Sequence, residues 1–153
     1  MQIDYLKNKP HFAQEINGLC FEEWGYLFPG STLAEWFIKL KERMKDNSIP
    51  LALVASKNDQ FIGTASLFEC DMEDRQNLFP WLAAVFVKSE YRNQGVGTHL
   101  INSIDAECLK LGYTHYYLYT GEARTFYLKR GWSIIEKRNY HGEDVVIMRK
   151  NIK

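Results

Sequence analysis

This sequence of 153 residues has no excess of either positive or negative charge. It contains 19 Lys and Arg residues and 19 Asp and Glu residues. Proteins that bind nucleic acid or anionic membranes through charge need a surplus of Lys and Arg. The balance therefore excludes a generic binder of either kind. We expect no nucleic-acid partner and no membrane partner.

Long apolar runs are also missing. No stretch approaches the roughly 18 consecutive apolar residues of a membrane-spanning helix, and the segment MQIDYLKNKP lacks the apolar region of a secretory signal. We therefore expect a cytoplasmic location. Repeats, low-complexity segments and linkers rich in Gly, Ser or Pro are absent as well, which predicts a single domain over residues 1–153.

Cysteine and histidine are few, and neither is arranged for metal binding. Cys20, Cys70 and Cys108 are far apart and form no C-x-x-C pair. The four histidines show no ligand spacing with one another or with the cysteines. We therefore predict no metal site. A catalytic Cys–His pair has no local support, because lone cysteines are usually small buried hydrophobes.

The residues that are present alternate between helix and strand patterns. Apolar residues recur at helical spacing over residues 12–24 and again from Leu33 to Met44, where Ser31 is the predicted N-cap. Strand-like runs follow over residues 50–56, 61–68 and 81–87. The last of these runs is almost continuously apolar, as in a central strand that is covered on both faces.

The second half of the chain continues this alternation. The patterns there predict an amphipathic helix over 96–111, a strand over 113–119, a short helix over 122–129 and strands over 132–137 and 145–148. The predicted order is β-α-α-β-β-β-α-β-α-β-β. It indicates an α/β fold, with a mixed central sheet of about six to seven strands flanked by about four helices.

The segment from Val85 to Gly97, VFVKSEYRNQGVG, has the pattern of an anion site. An apolar strand leads into a loop in which Arg92, Gly95 and Gly97 stand at R-x-x-G-x-G spacing, and a helix begins there. Free N–H groups at a helix N-terminus attract phosphate oxygens, glycines let the backbone approach closely, and an arginine adds a charge-assisted hydrogen bond. The plainer interpretation is a strand-to-helix turn with a solvated arginine, but the flanking elements favour a phosphate loop.

This loop resembles the pyrophosphate-binding motif Q/R-x-x-G-x-G/A of the GNAT N-acetyltransferase superfamily. A second hallmark, A-x-x-x-Y-x-x-x-G-F/W, is matched from Ala123 to Trp132. The run from Leu78 to Leu82 is similar to a subgroup of small bacterial acetyltransferases that carry Pro-Trp at this point. The resemblance covers most of the chain and is weakest over the first forty or so residues. It implies a GNAT-like fold.

The resemblance also implies acetyl-CoA as the cofactor and direct transfer of the acetyl group to a primary amine in a ternary complex. The backbone of Val85, Phe86 and Val87 would polarise the thioester, and Tyr127 would be the general acid. A core aromatic is the plainer alternative for Tyr127. By the same resemblance, the residues that would bind the cofactor after the strand are Arg92, Asn93, Gln94, Gly95, Val96, Gly97 and Thr98.

Two departures from the family pattern concern side chains of the site. Many relatives carry an Asn just before the second hallmark helix, where this chain has Thr120-Gly121-Glu122. Some relatives place a Glu early on the strand before the phosphate loop, whereas Phe79-Pro80-Trp81 contains no carboxylate. The candidate general bases are therefore acids of neighbouring segments, each of which also fits a solvated surface residue: Glu22, Glu23, Glu69, Asp71, Glu73 and Asp74.

The acceptor is the least defined part of the prediction. In the family, the first two helices and their loop wall the acceptor pocket, so Trp24, Tyr26, Phe28 and Asp71 are candidates to bind the substrate. The acceptor is expected to be a small-molecule amine or a peptide amine, and a homodimer is a family-level expectation. The alternative function is a non-catalytic acyl-CoA-binding or regulatory module of the same fold. Retention of Tyr127 favours the enzyme.

Overall fold

The computed structural model describes the whole sequence, from Met1 to Lys153. Its helices are α1 (Ala13–Trp24), α2 (Leu33–Glu42), α3 (Val96–Lys110) and α4 (Arg124–Leu128). Its strands are β1 (Gln2–Tyr5), β2 (Leu51–Lys57), β3 (Gln60–Phe68), β4 (Trp81–Val87), β5 (His115–Thr120), β6 (Ser133–Tyr140) and β7 (Glu143–Asn151). None of the helices is both long enough and apolar enough to span a membrane.

All seven strands form one sheet, in the order β1-β2-β3-β4-β5-β7-β6. Neighbouring strands are antiparallel except for β4 and β5, which run parallel. The α/β class, the mixed sheet and the predicted order of elements are therefore confirmed. The single parallel pair lies in the middle of the sheet, at the strand that leads into the predicted phosphate loop.

The hydrophobic core lies on both faces of the sheet. Alternate residues of β2 divide between the two faces, because side chains in a strand point to opposite sides. Leu53 packs with α3 on one face, whereas Val54 packs with α1 and α2 on the other. The second face also carries a separate cluster around Trp81, which Met72 of the loop before β4 covers.

The N-cap of α2 differs from the prediction. Thr32, and not Ser31, is the cap, since its Oγ1 accepts a hydrogen bond from the Glu35 backbone N–H at 3.2 Å. The Ser31 hydroxyl instead donates to the Phe28 carbonyl oxygen at 2.7 Å and accepts from Trp36 Nε1 at 3.0 Å. Ser31 therefore fixes the loop between α1 and α2 to the second helix.

Strand β4 has its predicted bounds but is not covered along its whole length. Its first three residues are buried, and residues 84–87 are only half-buried. The reason is that β4 and β5 pair at one position alone, Trp81 opposite Tyr117, and then diverge. The prediction that both faces of this strand are covered is therefore wrong for its second half, which borders an open gap between the two parallel strands.

Candidate active site

A bulge interrupts β4 where it begins to diverge from β5. Ser66 of β3 pairs with Ala83 and Thr64 pairs with Phe86, so two residues of β4 face a single residue of β3. Ala84, the first of these two, has a φ of +52°, which is the left-handed region. An extra residue of this kind redirects the strand locally and is over-represented beside active sites.

Beyond the bulge, β4 has a backbone N–H group that is directed at the gap. The Lys88 N–H donates to the Ile62 carbonyl oxygen of β3 at 2.9 Å. Because alternate peptide groups of a strand point in opposite directions, the N–H of Phe86 also faces β3. That of Val87 faces the opposite way, where β4 has no strand partner, and Val85 lies in the bulge, where this alternation is interrupted.

The loop after β4 holds a series of unused donors. No backbone N–H from Asn93 to Thr98 donates a hydrogen bond within the protein. Gly95, with a φ of +83°, is the N-cap of α3 and provides no side-chain cap. The first backbone bond of the helix runs from the His99 N–H to the Gly95 carbonyl oxygen at 3.0 Å. Six free N–H groups at the positive end of a helix dipole fit a pyrophosphate.

Arg92 connects this loop to β4. Its Nε donates to the Val87 carbonyl oxygen at 3.0 Å, which agrees with a Val87 peptide that faces away from β3. The Gln94 side chain donates to the Glu90 carbonyl oxygen at 3.1 Å and braces the same turn. The loop is thus held by side chains, while its backbone donors stay free.

We expect the two glycines of the loop to respond differently to alanine. Gly95 lies in the left-handed region, where alanine is strained by roughly 1–2 kcal/mol. Gly97 does not, and a Cβ there would meet nothing closer than the Phe126 ring at 3.6 Å. Denaturant unfolding should show Gly95→Ala destabilised by about that amount, and Gly97→Ala unchanged or stabilised by up to about 1 kcal/mol. Equal losses of stability in the two variants would contradict this interpretation.

Helix α4 brings Tyr127 to the same end of the sheet. A Cβ on Gly97 would lie 3.6 Å from the Phe126 ring and 3.9 Å from the Val87 side chain, so the loop, the end of β4 and α4 adjoin one another. In the segment before α4, Thr120 Oγ1 accepts a hydrogen bond from the Ala123 N–H at 3.1 Å. This residue therefore helps to begin α4.

The Tyr127 side chain is buried, but its hydroxyl is free. The ring packs against Phe126 and Trp132, with centroids 5.1 and 5.9 Å away. The hydroxyl makes no hydrogen bond within the protein. Unlike Trp132 Nε1, it is not fully enclosed by other atoms. Burial raises the pKa of Tyr127 to about 12, against an opposing effect of Arg130. The phenol is therefore a hydrogen-bond donor at neutral pH.

Sequence reasoning missed Arg130, which joins α4 to α3. Its Nε donates to Thr98 Oγ1 at 3.0 Å, and its Nη1 donates to the Phe126 carbonyl oxygen at 2.7 Å. The guanidinium lies 3.5 Å from the centroid of the Phe126 ring. A cation is thus fixed beside the first turn of α3. The sequence does offer one signal for Arg130: it directly precedes Gly131 of the second hallmark.

The candidate acceptor residues lie on the face of the sheet opposite α3. Trp24, the last residue of α1, packs edge-on against Phe86 with centroids 6.2 Å apart. Tyr26 and Phe28 are exposed and reach towards the turn between β6 and β7. Trp24 is therefore next to the bulged segment of β4, whereas the other two aromatic residues lie farther along the sheet.

Among the candidate acids, Asp71 has the most unusual environment. It is half-buried, and loss of contact with water raises its pKa to about 7, with Arg43 acting in the opposite direction. Asp74 is paired with Arg138, which donates to its two carboxylate oxygens at 2.7 and 2.8 Å. The remaining candidates are exposed: Glu22, Glu23, Glu69 and Glu73.

The neighbours of Asp71 locate it over the middle of the sheet. Arg43 is buried at the end of α2, and its Nη1 donates to Ser66 Oγ at 2.8 Å. Ser66 pairs with Ala83, the residue before the bulge. Burial, and after it the charge of Asp71, raises the pKa of Tyr119 on β5. Asp71 therefore lies between β3 and β5 on the acceptor face.

Comparisons with known proteins agree with this geometry. A family model described as an acetyltransferase (GNAT) domain matches residues 49–134, more than half of the chain. A crystal structure of an aminoglycoside 6'-N-acetyltransferase complexed with coenzyme A is similar at a TM-score of 0.79, with 19% identity over 100% of this chain and 98% of that one. A comparison with the curated proteins finds no significant match.

Two further solved structures share the fold. The aminoglycoside 6'-N-acetyltransferase from Enterococcus faecium has a TM-score of 0.76 and 22% identity, over 100% of this chain and 98% of that chain. A GNAT acetyltransferase from Streptococcus pneumoniae has a TM-score of 0.71 and 18% identity, over 99% of each chain. At such identities the structures establish the fold, and the family model establishes more: this chain belongs to the GNAT acetyltransferase family.

Proposed function

We propose that this chain is an acetyl-CoA-dependent N-acetyltransferase that acts on a primary amine in a ternary complex. The observation that carries the proposal is a set of free backbone donors on the end of β4 and on the loop that follows it. Six of them, from Asn93 to Thr98, suit the pyrophosphate, and that of Val87, next to the bulge at Val85, suits a thioester carbonyl. Acetyl-CoA supplies the activated acetyl group, and the residues of this chain bind it, orient it and move protons.

The bulged strand supplies backbone hydrogen-bond donation that polarises the thioester carbonyl. The Val87 N–H is fixed before substrate arrives, so stabilising a developing oxyanion requires no rearrangement of the backbone. Removing one such donor costs on the order of 3–4 kcal/mol in other enzymes. Ala84, with its φ in the left-handed region, lies in the bulge just before this segment.

Tyr127 acts as the general acid of this proposal. Its ring packs on Phe126, which adjoins Gly97 at the start of α3, and its pKa of about 12 keeps its free hydroxyl protonated. A phenol of this pKa is a weaker acid than a thiol, whose pKa is about 8–9. Its main contribution is therefore a hydrogen bond to the leaving sulfur as negative charge develops there.

Asp71 acts as the general base. An acceptor amine reaches neutral water as an ammonium and must lose a proton before it can attack. A carboxylate with a pKa of about 7 binds that proton more readily than an exposed one. The pKa of Tyr26 is raised, first by its hydrogen bond to Glu143 and with smaller effects from the charges of Glu122 and Glu23. These three carboxylates favour a cationic acceptor on this face.

Thiol release with a panel of primary amines, followed by mass spectrometry of the amine, tests this function. Thiol release that depends on the amine, with an amine heavier by one acetyl group, is expected. Binding of acetyl-CoA without transfer to any amine would instead support the non-catalytic module. Absence of binding would contradict both. The proposal also retains three expectations from the sequence. Limited proteolysis tests the single domain over residues 1–153, light scattering tests the homodimer, and cell fractionation tests the cytoplasmic location.

A further inference from the structure

Arg43 is a buried arginine that forms no ion pair. It lies at the end of α2, and only 9% of its surface is exposed. Two other arginines near the loop before β4 are paired. Arg75 pairs with Glu136, and Arg138 pairs with Asp74. None of the ion pairs in the protein includes Arg43. An arginine stays charged at neutral pH, and burying a charge without a partner is unfavourable.

Most hydrogen-bond donors of this guanidinium have no partner in the protein. Its Nη1 donates to Ser66 Oγ at 2.8 Å, which is the one side-chain hydrogen bond of Arg43. The Nε is fully enclosed and makes no hydrogen bond, whereas Nη2, which also makes none, is not fully enclosed. The Arg43 Cζ lies 5.1 Å from the centroid of the Phe68 ring. The guanidinium is therefore held by β3, and its Nη2 is free to donate.

This guanidinium lies on the acceptor face, beside the proposed general base. Ser66 pairs with Ala83, the residue before the bulge of β4. The positive charge of Arg43 lowers the pKa of Asp71, against the larger effect of burial, so the two groups are close. They nevertheless form no hydrogen bond with each other and no ion pair. The acceptor face thus presents two neighbouring groups of opposite charge that are not paired with each other.

We propose that Arg43 binds a carboxylate of the acceptor, and that the acceptor is an amino acid whose amine is held near Asp71. Arg43 is then a specificity-determining residue. The fork of an arginine matches a carboxylate in both geometry and charge. A phosphate would place almost two negative charges beside the Asp71 carboxylate, which favours a carboxylate as the bound anion. This inference rests on the proposed function, since it names the acceptor class of the same site.

A zwitterionic acceptor also agrees with the other charges of this face. Three carboxylates lie near Tyr26 and attract the ammonium group of an arriving amine. Arg43 supplies the positive charge that an amine without an anionic group would leave unpaired. An amino acid therefore complements both signs of charge on the face, whereas a simple amine or a polyamine complements one alone.

Matched pairs of acceptors test the role of the carboxylate. Each amino acid is compared with the amine that lacks only its carboxylate: lysine with cadaverine, phenylalanine with phenethylamine, and alanine with ethylamine. In the pair that the wild-type protein uses best, kcat/KM for the amino acid should exceed that for the amine by about 10–100-fold, as expected of a charge-assisted hydrogen bond. Arg43→Met should reduce this ratio to about one, and Arg43→Lys should retain part of it.

The ratio is taken within each protein, because loss of Arg43 also changes the pKa of Asp71, which affects both members of a pair alike. Arg149→Met is the matched control. Arg149 is a half-buried arginine of β7 that pairs with Tyr117, at the end of the sheet where β4 and β5 are still hydrogen-bonded. This variant should keep the wild-type ratio.

Binding measurements separate the inference from the proposed function. Calorimetric titration with the same amino acids and amines, in the presence of coenzyme A, requires no transfer. Wild type should bind the amino acid of its best pair about 10–100-fold more tightly than the amine, and Arg43→Met should bind the two equally. Equal wild-type affinities within every pair, or a preference that persists in Arg43→Met, would overturn the inference. Failure to acetylate any amine would overturn the proposed function alone.

Discussion

Replacing Tyr127 by phenylalanine is expected to lower kcat by about 10²–10⁴-fold, which is the usual contribution of a general acid. The KM for acetyl-CoA should stay near that of wild type, because the loop donors from Asn93 to Thr98 are unaffected. The hydroxyl makes no hydrogen bond within the protein. The free energy of unfolding should therefore change by no more than about 0.5 kcal/mol. Steady-state kinetics and denaturant unfolding provide the measurements.

The matched control for this variant is Tyr113→Phe. Tyr113 lies at the other end of the sheet, where its ring packs on Phe79 with centroids 5.3 Å apart. Removing its hydroxyl should leave kcat unchanged. If Tyr127→Phe retains wild-type kcat, the hydroxyl takes no part in the reaction, and Tyr127 is a core aromatic as the plainer reading of the sequence holds.

Replacing Asp71 by asparagine is expected to lower kcat/KM by about 10²–10⁴-fold and to change its pH dependence. The carboxylate accepts a proton only when it is ionised, which is the case above its pKa of about 7. The wild-type kcat/KM should therefore fall as the pH drops through this value. In Asp71→Asn that limb should disappear, while the limb that the amine itself contributes at higher pH remains.

Asp59→Asn is the control for Asp71→Asn, because Asp59 is an exposed aspartate in the turn between β2 and β3. Its pH profile should match that of wild type. Retention of the acidic limb in Asp71→Asn would show that another group removes the proton. Arg43 provides an additional check, because its positive charge lowers the pKa of Asp71. Loss of that charge should therefore move the acidic limb of the kcat/KM profile to higher pH.

Much of the fold could be predicted from local patterns. Strand β4 reads as an unbroken apolar run and has its predicted bounds, and α3 follows from an apolar stripe that ends at Gly112. The turn at His141-Gly142 also lies where its residues predict, with both in the left-handed region. These features depend on neighbours in the sequence, which is why the sequence alone is sufficient for them.

The parts of the site that could not be predicted depend on residues that are distant in the sequence. Nothing in WLAAVFV marks Ala84 as the bulged residue, because alanine has no preference for a positive φ. The pKa of Asp71, which lies in the loop before β4, depends on burial and on Arg43 at the end of α2. The contact between Tyr26 and Glu143 requires the whole sheet to bring the two residues together.

The unfolding temperature of the wild-type protein with and without acetyl-CoA tests the central claim most directly. A ligand at about 100 times its Kd stabilises the folded state by about 2.7 kcal/mol. For a domain of this size, that raises Tm by roughly 5–11 °C. At the same concentration, Gly95→Ala should show a smaller rise, because its loop donors are displaced. An unchanged wild-type Tm up to saturating acetyl-CoA would contradict the assignment of this loop as an acetyl-CoA site.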